Sequence, residues 1–554
     1  MEISARDIIN RLNRMVGDRS TLDDHLQEVA DVVMPRKAQI TSTRSPGEKY
    51  RVDTYDSTAI LANTNLAAGM YSFLTPTNKR WFELSPRQKS LQNNSSVMQY
   101  FAEVNDIIYE EIASSNFALQ MNESYLDLGW AGIAGLMLEE STGDSPSCLS
   151  FRNMHYSTYY IAESNQGVVD TLYRRFKLTA RQAVQEFGDD VGEKILEAAK
   201  DIKTQDKEYK FIHAIFPRTD RDKTKKDAEN MPWASIYVSE EDKTIIREGG
   251  YEEQPFMTPR FAKDNFEIYG RSPGMSVLPE INMVNRMKKT IIAAGQKVVD
   301  PPWLVPDNNS IARIRTTPGS LIYYNPSMPE NKPQPLATHA DVGLGMDLLT
   351  LEQDVIKKAF HEDLFVMLNN IDRQMTATEV LARLEEKVTI FAPTFGRLQG
   401  ELFDVMLSRA FAICQRAGKL PDPPQELLEN PNYEIAYISK LALIMRALDM
   451  KTTFDYLEYM APIAQVDPSV YDYVDFDQVA TVGARRFGLP AEFQRAKDEV
   501  DEIRQTRAAA AQQREQMAMA AEMAKTVPSL QGKTDPDSPM AQIGSLGGLP
   551  GVTG

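Results

Sequence analysis

The fold is decided by two stretches, MSVLPEINMVNRMKKTIIAAGQKV (275–298) and DVGLGMDLLTLEQDVIKKAFHEDLFVMLN (341–369). Apolar residues recur in both at helical spacing, so each predicts a long α-helix. Between them lies DPPWLVPDNNSIARIRTTPGSLIYYNPSMPENKPQP (300–335), whose eight prolines exclude a continuous helix. Two pieces of this segment, 303–305 and 320–324, are β-like, and its aromatic residues favour an ordered excursion. The pattern therefore predicts two long helices joined by an ordered, proline-rich segment.

The residues before 275 predict helices followed by an antiparallel sheet. Residues 1–34 predict a helix pair with a turn at 17–20. Further helices are predicted over 57–74 (capped by Asp56 or Ser57), 95–114 and 118–138. Short β-type segments follow at 149–152, 159–163, 168–176, 211–217, 234–238 and 244–248. Two helices interrupt them, at 179–187 behind the cap residue Thr179 and at 191–200, so this part is α+β.

Three glycines, Gly129, Gly132 and Gly135, lie at intervals of three in the predicted helix 118–138. Glycines at this spacing share a helix face and let a neighbouring backbone approach closely. A phosphate-binding loop is disfavoured, because no strand precedes them and their order is wrong for such a loop. Close helix packing is the better interpretation.

The residues after 369 predict mainly helices. The expected segments are 376–388, 394–417, a mostly helical region at 436–462, shorter helices over 466–487 and a single helix over 491–525. The last of these contains AAAAQQREQMAMAAEMAK, whose alanines and methionines favour a helix but give a thin apolar side. Such a helix is either exposed or packed against copies of itself. After residue 526 the composition predicts disorder.

Composition limits the class of protein. A chain of 554 residues exceeds one ordinary core, so several packed modules are expected. Its two cysteines form no disulfide framework, the first residues form no secretory signal, and no apolar run reaches the roughly 20 residues of a membrane span. We expect a soluble intracellular protein. The net charge of −17 disfavours tight DNA binding, although weak repulsion would suit a surface past which DNA slides.

No catalytic or metal-binding constellation stands out. His361, Glu362 and Asp363 are adjacent on a predicted helix and point in different directions, so a solvated helix face is the better interpretation. The other histidines lack metal-ligand spacing, and the motifs of nucleotide binding and of serine hydrolases are missing. The sequence predicts no cofactor, no metal and no catalytic residue.

Basic residues cluster around the two long helices and the segment between them. Four lie on the first helix, two in the excursion and three beyond the second helix: Arg286, Lys288, Lys289 and Lys297; Arg313 and Arg315; Arg373, Arg383 and Lys387. In a monomer these would be ordinary surface charges. In a ring of identical chains each would become a circle of charges.

Five segments, in order, carry a resemblance to a known family. They are DSTAILANTNLAAGMYSFLTPTNKRWFEL (56–84), LGWAGIAGLMLEE (128–140), SFRNMHYSTYYIAESNQGVVDTLYRRFKLTARQAVQEFG (150–188), YGRSPGMSVLPEINMVNRMKK (269–289) and NNIDRQMTATEVLARLEEK (369–387). The chain resembles the portal, or head-to-tail connecting, proteins of short-tailed, podovirus-type bacteriophages. The similarity covers about the first three quarters of the chain, and the ordered series is more specific than any one segment.

The resemblance implies a mainly α fold with an α+β wing, assembled as a ring that is usually of twelve subunits. The implied divisions are a wing at 1–270, a stem helix at 271–298, a clip at 299–336, a second stem helix at 337–368, wing and channel-loop helices at 369–430, a crown at 431–490, a barrel helix at 491–525 and a disordered tail at 526–554. The channel loop would be either 369–376 or the turn near 387–394.

The resemblance also implies roles and partners. The seven basic residues on or beyond the stem helices (Arg286, Lys288, Lys289, Lys297, Arg373, Arg383 and Lys387) are candidates to face the channel and DNA. Clip candidates for docking are Trp303, Arg313, Arg315, Tyr323 and Tyr324. The implied partners are further copies of the chain, the terminase large subunit, which would hydrolyse ATP, a tail adaptor, major capsid and scaffolding proteins and internal core proteins. Double-stranded DNA would pass without sequence specificity, at the portal vertex of a virion assembled in the host cytoplasm, with no membrane involved.

Two alternatives remain open. One is another virion structural protein, such as a tail adaptor or an internal core protein, against which the length and the helix–excursion–helix layout argue. The other is an acidic helical enzyme whose active site has no recognisable motif.

Overall fold

The computed structural model describes residues 3–526 except 46, 50–53, 89–90, 142–144, 226, 305–333, 336–341, 371–376, 430–432, 440, 443–452, 454–455, 487–494 and 496. The chain begins with one helix, α1 (Ala5–Val33), where two were predicted. Ser4 caps it through a reciprocal pair of hydrogen bonds with Asp7. The predicted turn at 17–20 is wrong, because Gly17 lies exposed within the helix and one glycine costs a helix only about 1 kcal/mol.

The next elements are α2 (Thr58–Leu74), β1 (Phe82–Pro86), α3 (Ser95–Ser114), α4 (Phe117–Ala131), β2 (Gly135–Glu140) and β3 (Leu149–Met154). The prediction of a helix over 118–138 is wrong beyond residue 131. Gly132 has a φ of 74°, the left-handed conformation that commonly ends a helix, and the chain continues as β2. The three glycines therefore share no helix face. The close packing expected of Gly129 is nevertheless present, because a Cβ there would overlap Asn63 of α2.

An antiparallel five-stranded sheet follows, formed by five of the six predicted β-type segments, whereas the segment predicted at 149–152 is part of β3 and belongs to another sheet. Its strands are β4 (Tyr159–Glu163), β5 (Val169–Thr179), β6 (Glu208–Pro217), β7 (Trp233–Ser239) and β8 (Thr244–Tyr251), joined in that order. Between β5 and β6 lie α5 (Ala180–Phe187) and α6 (Glu193–Lys200). Thr179 and Gln182 form the capping box of α5, so the predicted cap is confirmed.

Alternation along β6 gives the sheet two apolar faces. Ile212 and Ala214 pack with Ile8 and Leu12 from the first half of α1. Phe211, on the opposite face, packs against α5 and α6. The second half of α1 enters the main core, so this helix connects the sheet to the rest of the molecule.

The elements after the sheet are β9 (Phe256–Met257), α7 (Pro273–Ser276), α8 (Leu278–Val299), β10 (Trp303–Leu304), β11 (Gln334–Pro335), α9 (Val342–Ala359) and α10 (Glu362–Asn370). β9 adds to β2 and β3 in a three-stranded sheet. The single helix predicted over 341–369 is broken at His361, which has a φ of 54°. The β-like piece predicted at 303–305 is confirmed as β10, whereas 320–324 lies outside the described residues.

The remaining elements are α11 (Ala377–Leu398), α12 (Asp404–Arg416), α13 (Gln425–Glu429), β12 (Tyr433–Tyr437), α14 (Phe476–Arg486) and α15 (Lys497–Thr526). A π-helical turn at Gln399–Phe403 joins α11 directly to α12, where the sequence predicted an interruption near 388–394. β12 pairs with β1, so the predicted helical region at 436–462 begins as a strand and is helical at 456–464. The predicted C-terminal helix is present as α15, and the tail after 526 lies outside the described residues.

Candidate functional site

Helices α8 and α9 lie side by side and run in opposite directions. Lys288 of α8 and Gln353 of α9 both bond to the same carboxylate oxygen of Asp56. One turn further along α8, Ile291 lies against Gly345, which is earlier in α9. Since the residue number rises along one helix while it falls along the other, the pair is antiparallel. The two long helices that the sequence predicted are therefore neighbours in the fold.

Asp56 is the point at which α2, α8 and α9 are joined. Its Oδ1 accepts from the backbone N–H of Thr58 at 2.8 Å, so Asp56 rather than Ser57 supplies the capping carboxylate of α2. Its Oδ2 accepts from Lys288 Nζ at 3.0 Å and from Gln353 Nε2 at 2.7 Å. Burial raises the pKa of Asp56, but the hydrogen bonds from Thr58, Lys288 and Gln353 outweigh burial and hold the pKa below its usual range.

A second contact fixes α8 to the same segment. The side-chain oxygen of Asn285 accepts from the backbone N–H groups of Tyr55 and Asp56, at 3.1 and 3.0 Å. The ammonium group of Lys289 lies 5.3 Å from the centre of the Tyr55 ring, within cation–π distance. Sequence reasoning recognised Asp56 only as a possible cap and missed its partners on α8 and α9.

The four basic candidates on α8 therefore have different surroundings. Lys288 contacts Asp56 and Lys289 contacts Tyr55, so both help to hold the helix. Arg286 is exposed and lines an open groove of about 690 Å³ formed by α8 and the start of α9. Lys297 is exposed in the last turn of α8, where a cation interacts favourably with the helix dipole.

The other predicted residues are described only in part. Trp303 lies in β10, is partly exposed and pairs with Pro335 of β11, so the two ends of the excursion meet. Arg383 and Lys387 belong to α11, although their side chains are not described. The remaining candidates lie outside the described residues: Arg313, Arg315, Tyr323, Tyr324 and Arg373.

The break between α9 and α10 is built around His361. Its ring packs against Phe261 and Phe391, with centroids 6.0 and 5.4 Å away, and burial lowers its pKa. The interpretation of 361–363 as a solvated helix face is wrong for His361, because the chain bends there and turns the ring inward. Within the described part of the chain, no group of histidine, cysteine and carboxylate residues is arranged to hold a metal ion. None of the described helices is long and apolar enough to cross a membrane.

The pattern of the bacteriophage head to tail connecting protein family matches residues 5–494. The chain belongs to this family, which confirms the resemblance found in the sequence.

Two curated relatives are similar over almost their whole length. One, described as a "Probable portal protein" of Bordetella phage BPP-1, is 30% identical over 506 residues, 90% of each chain. The other, described as "Portal protein" of Salmonella phage epsilon15, is 28% identical over 511 residues, 91% of each chain. Both descriptions name a portal protein, and together with the family they show that the function of the chain is that of a phage portal and that the protein is a virion component.

Proposed function

We propose that twelve copies of this chain form a closed ring at the capsid vertex. Double-stranded DNA would be packaged and ejected through its centre, and the ring would join head to tail. The observation that carries this proposal is the antiparallel pair α8 and α9, since it supplies a long two-helix wall with an excursion at one end. The family membership over residues 5–494 supports the same role.

The helix pair has large apolar side chains that the fold of the single chain leaves exposed. On α8 and α9 these exposed side chains are Met283, Ile292, Val298, Val299, Met346, Leu348, Leu351 and Val355. Eight large apolar side chains on two neighbouring helices favour burial against another surface. In a ring, α8 of one copy would meet α9 of the next, which makes a neighbouring copy the partner that fits.

The negative net charge of the chain favours a channel through which DNA passes, rather than a site that binds DNA tightly. Twelve chains at −17 would give the ring a charge of about −200, which repels a duplex and centres it. Exposed cations such as Arg286 and Lys297 would hold DNA locally, within a ring that is negatively charged overall. Lys288 and Lys289 would contribute mainly through Asp56 and Tyr55. Arg373, Arg383 and Lys387 remain candidates on or before α11.

The divisions proposed for the subunit follow the described elements. The wing would contain residues 1–270, with α1 to α6 and the three-stranded and five-stranded sheets, and the helices of 369–430 would belong to the wing and the channel loop. Residues 271–298 and 337–368, which include α8 and α9, would form the stem, and 299–336 would form the clip. Pairing of β10 with β11 supports a clip that leaves and re-enters the stem at one point. We infer that the clip meets the terminase large subunit and later a tail adaptor. The region 431–490 would be the crown and α15 a barrel helix, on the side of capsid, scaffolding and internal core proteins.

A charge reversal in the phage tests the DNA-channel role. Arg373→Glu should leave ring assembly intact but change the length of DNA packaged or the fraction of particles that retain it. Lys200→Glu, at the exposed end of α6, is the control and should leave both quantities unchanged. Packaging and retention equal to wild type in Arg373→Glu would rule out that residue as a channel group.

A further inference from the structure

The only two cysteines of the chain lie against each other. Cys148 immediately precedes β3 and Cys414 is in the last turns of α12, yet their Sγ atoms are 3.7 Å apart. Both are free thiols. Cys414 is buried, whereas Cys148 is partly exposed and is the one that a small molecule in solution can reach.

The backbone around the two thiols is held in place by Glu111 of α3. One carboxylate oxygen accepts from the N–H of Cys148 at 2.9 Å and from the hydroxyl of Ser147 at 3.0 Å. The other accepts from the ammonium group of Lys419, whose backbone N–H bonds to the carbonyl of Cys414 at 3.1 Å. Glu111 therefore connects the chain on either side of the thiol pair and keeps the two sulfur atoms close.

We propose that Cys148 and Cys414 form an oxidative modification site, at which a small-molecule disulfide converts the two thiols into an intrachain disulfide. The thiolate of Cys148 attacks the reagent and releases one thiolate, leaving a mixed disulfide on Cys148. The thiolate of Cys414 then attacks the Sγ of Cys148 and releases the second thiolate. Each cysteine loses one proton, and the reagent is reduced to two thiols. Bond formation requires the Sγ atoms to approach to about 2.05 Å.

The reaction is slow at neutral pH and faster in alkali. Burial and the neighbouring Glu111 raise the pKa of Cys148, and burial together with Cys148 raises the pKa of Cys414. The thiolate is the attacking species, so its fraction, and with it the rate of oxidation, increases with pH. The thiols thus stay reduced in a reducing cytoplasm and react during long exposure to an oxidising medium.

The bond would fasten α12 to the three-stranded sheet. Arg409 of α12 already donates to the carbonyl of Leu138 in β2 at 2.7 Å, and Arg416 forms ion pairs with Glu140 and Glu253. A disulfide would make this attachment covalent and restrict the unfolded chain between residues 148 and 414. Its occurrence after the virion leaves the host rests on the proposed function, whereas its formation in the purified protein does not.

The test uses the purified full chain, incubated with oxidised glutathione at pH 7 and pH 9. Samples are quenched with acid and unfolded before labelling, and we expect both thiols to lose their reaction with iodoacetamide together, about fivefold faster at pH 9. The intact mass should fall by the two hydrogens lost, and a proteolytic digest should contain a Cys148–Cys414 linked peptide that dithiothreitol separates. The oxidised protein should unfold at a higher denaturant concentration than the reduced protein.

Cys414→Ser is the matched control and should accumulate glutathione on Cys148, because no second thiol can displace it. A wild-type protein that accumulates the same glutathione adduct, or that cross-links between chains, would overturn the proposal. Both outcomes are read on wild-type protein, so they do not depend on the folding of the variant. If the disulfide does not form, the proposals of ring assembly and DNA passage still stand, since neither requires this bond.

Discussion

Lys288 of α8 donates a hydrogen bond of 3.0 Å to the buried carboxylate of Asp56, which lies 232 residues earlier in the chain. The contact holds a helix of the antiparallel pair against the amino terminus of α2. Lys288 was a candidate DNA-facing cation, and the described surroundings give it a structural partner.

Asp56→Asn should destabilise the subunit by about 1–3 kcal/mol, because the buried site loses the carboxylate that Lys288 and Gln353 share. Denaturant unfolding at pH 7 measures the loss. Asp354→Asn is the control, because that carboxylate is half-exposed on α9 and pairs only with Lys357 among the ion pairs described. Its effect should stay within about 0.5 kcal/mol. Equal effects of the two variants would contradict the role given to Asp56.

His213 should make the protein less stable as the pH falls below about 6.5, the pKa of an unfolded histidine. Burial lowers the pKa of His213 to about 3, where its ring stacks on Tyr237 and bonds to Ser235. Between pH 6.5 and 3 the unfolded state therefore binds a proton at this histidine and the folded state does not. The free energy of unfolding decreases there by up to about 1.4 kcal/mol for each pH unit.

The measurement is the free energy of unfolding from pH 7.5 to pH 4.5 for wild type and His213→Gln. The variant should be less stable at pH 7.5, because it loses the stacking contact with Tyr237. Its stability should nevertheless fall less steeply with acidification. Parallel curves for the two proteins would show that His213 does not titrate as described.

Gly69→Ala and Gly17→Ala should change stability in opposite directions. A Cβ at Gly69 would overlap the ring of Phe365, so packing of α2 against α10 must shift, at a cost of about 1–3 kcal/mol. At Gly17, within α1, nothing lies within 4 Å of the added atom, and alanine should stabilise the helix by about 0.5–1 kcal/mol. Thermal unfolding of both variants checks the signs, and a stabilising Gly69→Ala would refute the packing.

Leu351→Glu should weaken assembly without unfolding the subunit. The side chain is 63% exposed on α9, so a carboxylate is tolerated in the free chain but would be buried between neighbouring copies. Analytical ultracentrifugation should show a shift from ring to smaller species, with an unchanged circular dichroism spectrum. Ile202→Glu, an exposed apolar position after α6, is the control and should assemble as wild type. Intact rings of Leu351→Glu would exclude this face as the interface.

Local signals predicted much of the fold. Asn94 and Thr179 cap helices that begin where expected, and the strand predicted at 159–163 has the observed bounds. These elements are determined by short-range periodicity and capping, which a sequence displays directly. The helix–excursion–helix layout was predictable for the same reason.

Other features depend on contacts between distant residues. The first four residues of β2, 135–138, are apolar and buried, and such a short run cannot be distinguished from helix by periodicity. Strand β1 pairs with β12, so that Phe82 lies opposite Tyr437 although the two are roughly 350 residues apart in the sequence. No local sequence pattern indicates such a distant pairing. The bend at His361 places its ring against Phe261 and Phe391, and contacts with residues so distant in the sequence leave no local signal. The partners of Asp56, Lys288 and Gln353, could not be predicted either, because they are distant from it in the sequence.

The most direct test of the central claim is electron microscopy of the purified full chain in negative stain. The account predicts closed rings with a central hole wide enough for duplex DNA, seen end-on at micromolar protein concentration. Particles that remain monodisperse monomers as the concentration is raised would contradict it.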